Sequence, residues 1–190
     1  MEGLRPLHGL RAAGDGRVRG RRGAVAPVSS IGLDVDRDAL FAIEQMNKAY
    51  ARCLDDDRLE DWPDFFLEDG RYLIQSRENR DASLYGYILY FENRAMMRDR
   101  VTSLRVANYY NLHTDRHLIS NVDIVGVADG VYDARANYAV IQTDAEGRSD
   151  LFSAGEYVDR IVFVEGAPKF AKRLVLLDTS NIVGLLAVPL

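Results

Sequence analysis

Between residues 117 and 177 the hydrophobic period is two, and this run constrains the fold more than any other feature of the chain. Leu118, Val122 and Ile124 are expected to share a face opposite His117, Ile119, Asn121 and Asp123. Asp129-Gly130 then signals a hairpin, because both positions tolerate the positive φ of a tight turn. The returning strand, 131–143, alternates Tyr132, Ala134, Ala136, Tyr138 and Val140 against Asp133, Arg135 and Asn137. Asp144–Gly147 turns the chain again into 149–164, one strand interrupted by Gly155. A straight strand of that length would span about 50 Å, well beyond common practice. Gly155 is therefore read as a bulge or bend that curls the sheet. Gly166-Ala167-Pro168 makes a third turn before a last strand, 169–177. Strands joined by such short turns form an antiparallel meander.

Upstream the period is helical. Asp34, Asp36 and Asp38 precede Leu40, Ile43, Met46, Tyr50 and Leu54, and acids suit the positive end of a helix, so a helix is expected over 36–54. Asp55-Asp56-Asp57 ends it, a short helix follows through Leu59–Trp62, and Pro63 restarts the chain. A strand over Arg71–Gln75 and a helix over Ala95–Leu104 complete the pattern, with 81–94 ambiguous. Helices followed by a long meander imply an α+β architecture, N-terminal helices packed on a curved antiparallel sheet. That cone resembles the nuclear-transport-factor-like (cystatin-like) fold.

Residues 1–32 stand apart. They hold six Arg, two acids and seven of the chain's 15 Gly, without helical or strand periodicity. Such a segment buries too little apolar surface to offset its ordering entropy. We read it as a disordered extension of the kind left by a start codon assigned too far upstream; a targeting segment and a basic docking arm are the competing readings. The domain is then 33–190. With a net charge of −5 for the whole chain and +4 in the extension, that domain carries −9. An acidic body argues against nucleic acid as a partner. No apolar run reaches the ~18 residues of a membrane span, so a cytoplasmic protein is expected.

Metal and acid–base chemistry each make specific demands on residue type. A Rieske cluster needs two Cys and two His, and a mononuclear iron site needs two His and a carboxylate. The chain has one cysteine, Cys53, and three His, one of them in the extension. His113 and His117, beside Asp115 and Asp123, are the only conceivable metal group. On an extended segment their rings lie roughly 13 Å apart and cannot share an ion; on a helical one they could. Asp64, Tyr50, Asp99 and His117 are the groups that could meet as acid and base inside a cone. Met96-Met97-Arg98-Asp99-Arg100 reads as a buried Met/Val face with surface ion pairs, and Cys53 as packing. No catalytic, cofactor-binding or metal-ligating residue is assigned.

Taken in order, several segments resemble the small (β) subunits of bacterial aromatic-ring-hydroxylating dioxygenases. They are Tyr50-Ala51-Arg52, Leu59-Glu60-Asp61-Trp62-Pro63-Asp64-Phe65-Phe66, Arg71-Tyr72, Arg94–Val101, Arg116–Val122, Phe152–Tyr157 and the closing Leu186–Leu190. The Trp-Pro-Asp-Phe-Phe run and Glu78-Asn79 look nearest to terephthalate dioxygenase and salicylate hydroxylase small subunits, which implies an aromatic carboxylate as substrate. The resemblance implies a non-catalytic structural subunit, with the Rieske [2Fe–2S] cluster and mononuclear Fe(II) in a partner large (α) subunit. It further implies three α and three β chains, the β chains associating around a threefold axis. The alternatives are a stand-alone isomerase or dehydratase using the cone as a pocket, and a small-ligand binding protein of the same fold.

Overall fold

The computed structural model describes residues 36–81, 86–106, 112–179, 186 and 188–190. The reading of residues 1–32 as an extension lies outside the described residues. Helix α1 (Arg37–Asp55) opens where the acids predict it: the Asp36 carboxylate accepts from the N–H groups of Asp38 (3.0 Å) and Ala39 (3.2 Å). It buries Ala39, Ile43, Met46, Tyr50, Cys53 and Leu54 along one side. Its end is a Schellman turn: Asp57 takes φ 55°, and the Arg58 and Asp57 N–H groups bond back to Cys53 O and Leu54 O. In place of the short helix expected at 59–62 the chain makes a turn and then a 3-10 helix, Trp62–Phe65, so that Pro63 sits in the first turn of that helix rather than ending one.

Strand β1 (Phe66–Ser76) starts earlier than the sequence suggested. Helix α2 (Arg77–Asp81), strand β2 (Leu89–Phe91) and helix α3 (Arg94–Val106) lead to the meander. Its strands are β3 (His113–Ala128), β4 (Val131–Asp144), β5 (Ser149–Val164) and β6 (Ala167–Leu177). They make one sheet in the order β2-β1-β6-β5-β4-β3. The meander pairs antiparallel throughout, but β1 pairs parallel with β6, so the sheet is mixed. No turn encodes that contact; it arises because the last meander strand returns beside the first strand of the chain. One sheet face and the helices share a core built from α1, Met97, Val101 and Leu104 of α3, and inward residues from Ile124 to Leu177. No described helix is long and apolar enough to cross a membrane.

Two details of the meander differ from the sequence expectation. His117, expected opposite the apolar face, is buried, whereas Leu118 is 55% exposed. The cause is a bulge. Between Ser120 and Asp123 β3 uses one more residue than β4, with Asn121 at φ 52°, so the inward phase changes from odd to even positions. Ile124 is then buried as expected. A short polar residue such as Asn accepts this left-handed backbone better than most.

Gly155 is not a bulge, for it pairs in register with Tyr138 and Leu177. The register shifts lie elsewhere, at Val140/Ile141 and Arg160/Ile161. Its lack of a side chain serves close approach: an added Cβ would collide with the Leu176 carbonyl and lie 3.1 Å from Tyr138 Cε1. Gly155→Ala should therefore cost about 1–3 kcal/mol of stability through overpacking. A urea titration should show a lower midpoint at unchanged slope; an unmoved midpoint would refute the close-packing account.

Candidate functional site

The four residues that could have met as acid and base are not brought into one site. Asp64 is exposed on the 3-10 turn and pairs with Arg98 (3.3 Å) and Arg94 (3.7 Å). Asp99 is exposed on α3. Tyr50 is fully buried; its hydroxyl accepts from Trp62 Nε1 (3.2 Å) and donates to Leu190 O (2.8 Å). Burial pushes its phenol pKa up despite the nearby Arg173, so it is a poor acid. In the Met96–Arg100 run, Met97 is core, Met96 is partly exposed and Arg100 donates to Leu186 O (3.1 Å). Cys53 is buried, its thiol donates to Arg58 O (3.0 Å), and burial pushes its pKa up to about 11, which disfavours the reactive thiolate.

His113 and His117 both lie on extended β3 and serve different carboxylates. His113 Nε2 is 3.5 Å from Asp115, which also accepts from Gln142 (3.1 Å). His117 meets Asp55 at the end of α1: the carboxylate accepts from its main-chain N–H (3.0 Å) and lies 2.7 Å from Nδ1. Facing a carboxylate, which can only accept, Nδ1 is the donor. Nε2 is buried and has no hydrogen-bond partner among the described residues. Among the described residues no group of three His, Cys, Asp or Glu could hold a metal ion. One cysteine does not fit a Rieske cluster, and the described His113 and His117, on different carboxylates, do not fit a two-His-one-carboxylate iron site.

The polar centre of the molecule is one that sequence reasoning missed. Arg173 on β6 is 0% exposed, and its Nε and NH2 groups grip Asp159 on β5 at 3.0 and 2.7 Å. A further bond reaches Asn47 of α1 at 2.6 Å. The guanidinium carbon lies 4.0–4.3 Å from the ring centroids of Tyr50, Tyr157 and Phe170. Burial works against its charge, but the Asp159 carboxylate outweighs that and raises the Arg173 pKa further. The signal was present: Lys172-Arg173 in a period-two strand must send one cation inward, and that cation needs an acid on the facing strand.

The end of the chain fills the adjoining space. Leu190 is buried, its carbonyl accepts from Tyr50 and Tyr72 (2.8 and 3.1 Å), and its N–H donates to the Tyr72 oxygen (2.8 Å). The Tyr50 and Tyr72 hydroxyls are thus taken up by Trp62 and by the main chain of Leu190, while the buried Tyr157 hydroxyl and one terminal nitrogen of Arg173 have no hydrogen-bond partner among the described residues. This arrangement can hold the fold together; among the described residues, the Asp55–His117 pair is the closer of two His–carboxylate groupings, the other being His113 with Asp115.

Comparison with known proteins follows the same line. The sequence pattern described as "Ring hydroxylating beta subunit" matches residues 49–183. The chain belongs to the ring-hydroxylating β-subunit family. It is 41% identical to the anthranilate 1,2-dioxygenase small subunit of Burkholderia cepacia, over 83% of this chain and 98% of that one. To the terephthalate 1,2-dioxygenase terminal oxygenase subunit beta 2 of Comamonas sp it is 30% identical, over 78% and 96% respectively. A crystal structure of the β subunit of a provisionally assigned aromatic-ring-hydroxylating dioxygenase from Novosphingobium aromaticivorans superimposes with a TM-score of 0.74. It shares 41% identity, covering 80% of this chain and 97% of that one. As a ring-hydroxylating β subunit, the chain is a component of a dioxygenase, and its curved mixed sheet with packed helices is the fold of that family.

Proposed function

We propose that this β subunit is non-catalytic and builds the terminal oxygenase around a large (α) subunit, which carries the Rieske [2Fe–2S] cluster and the mononuclear Fe(II). The observation that carries this reading is the packed interior, where Arg173, Asp159, Asn47, Tyr50, Tyr72 and Leu190 are tied to one another. Three α and three β chains, with β chains meeting around a threefold axis, would repeat one interface identically and so fix a closed ring. The similar anthranilate and terephthalate proteins are named for aromatic carboxylates; an aromatic carboxylate is the substrate class we propose for the assembled enzyme, which works in the cytoplasm.

A second reading, a stand-alone isomerase or dehydratase, is favoured by one observation, the buried His117 Nε2 oriented by Asp55. Elemental analysis and co-purification separate the two. The isolated β subunit should bind no stoichiometric iron or zinc, and it should co-purify with the α subunit as a complex that contains iron. One-to-one metal in the isolated chain, lost in His113→Ala or His117→Ala, or failure to assemble with an α subunit, would overturn the assembly reading.

A further inference from the structure

On the sheet face turned away from the core, three cations stand side by side. Arg71 of β1 is in register with Lys172 of β6, which is in register with Arg160 of β5. Their neighbours along each strand, Tyr72, Arg173 and Asp159, point into the core, so alternation places all three outward. Like charges directly opposite one another across strands are unfavourable. Such a row is unexpected in a domain whose net charge is −9.

The acids on this face relieve only the Arg160 end of the row. Asp133 pairs with Arg160 at 3.5 Å. Glu156 is shared by Arg77 and Arg135, and Asp178 is held by Arg77. Arg71, Lys172 and the nearby Arg80 have no ion pair among the described residues. Partial burial, with the positive charges of Arg160, Arg71 and Arg80, lowers the pKa of Lys172, as expected for a cation without a counter-charge.

We propose that the Arg71–Lys172–Arg160 row is a docking surface for a carboxylate-bearing patch on the α subunit. This rests on the assembly reading given above. Three cations across two strand spacings span about 10 Å, the scale of a cluster of acidic side chains. A nucleic-acid duplex would need a longer basic stripe than this row provides. Assembly would supply the missing counter-charges, so that a feature costly to the free subunit becomes favourable in the complex.

The test uses the full chain and Lys172→Glu, with Arg71→Gln as a milder second variant. The introduced carboxylate would stand between two arginines, so the isolated Lys172→Glu variant should melt at the wild-type temperature or about 2 °C higher. Its affinity for the α subunit should nonetheless fall by about tenfold or more at low ionic strength, with the gap closing near about 0.5 M salt. Arg71→Gln should show a smaller loss in the same direction. Unchanged affinity in both variants would overturn the proposal, as would a fall in melting temperature large enough to account for the loss. So would a defect confined to self-association or to nucleic-acid binding, measured by sedimentation and gel shift. If the wild-type chain binds no α subunit at all, the assembly reading fails and takes this proposal with it; wild-type binding with indifferent variants sinks this proposal alone.

Discussion

Arg173→Ala is expected to lower the stability of the subunit by about 3–5 kcal/mol, because it leaves Asp159 as a buried carboxylate without its partner. The loss also frees Asn47 and removes the cation from between Tyr50, Tyr157 and Phe170. For a domain that is stable by about 5–15 kcal/mol this is a large fraction. The melting temperature should drop by roughly 6–20 °C. Replacing both partners together, Arg173→Met with Asp159→Leu, should restore most of the loss, since no unpaired charge then remains inside. A single variant as stable as the parent would show that the pair is not the organising contact of the core.

Trp62→Ala should be nearly as damaging, at about 3–5 kcal/mol. Trp62 is 0% exposed and lies edge-on to Tyr72 (5.2 Å between centroids), Phe66 (5.8 Å) and Phe91 (6.3 Å). Its indole N–H donates to the Tyr50 hydroxyl, which in turn donates to Leu190 O. Alanine would empty a ring-lined space and leave one link of that chain unpartnered. Trp62→Phe keeps most of the packing and loses the hydrogen bond, so it should cost about 1–3 kcal/mol. Denaturant unfolding of both variants checks the ranking; equal effects would mean that the indole N–H carries the whole contribution.

Much of the fold was legible in the sequence because local signals were unambiguous. Acids at 34–38, the aspartates at 55–57 and the Asp129-Gly130 turn bounded α1 and the first hairpin closely, and the observed Asp129 and Gly130 both have positive φ. Long-range features were not legible. Parallel pairing of β1 with β6 is made by residues about a hundred positions apart and leaves no turn signature. The face change at Asn121 depends on one extra residue, invisible to a rule that counts strict alternation. Gly155 announced a constraint, but whether a glycine makes a bulge or admits a neighbouring carbonyl depends on the facing strand. The fate of Cys53 was readable from hydrophobic context, whereas the sequence left 113–117 open between strand and helix, and the structure makes it part of β3. Asp55 as the partner of His117, and Asp159 as the partner of Arg173, required knowing which strands and helices meet.

Turnover of the assembled oxygenase, normalised to its iron, decides whether this subunit does chemistry. The complex is purified with Asp55→Asn or His117→Gln in the β subunit, alongside Asp64→Ala and Asp99→Ala, and product formation is followed on an aromatic carboxylate. If the β subunit only builds the assembly, the yield of complex falls for Asp55→Asn and His117→Gln, because a contact between α1 and β3 is lost. Turnover per iron stays near that of the parent in all four. A hundredfold loss of turnover with assembly and iron content intact would contradict the account and make His117 a catalytic group.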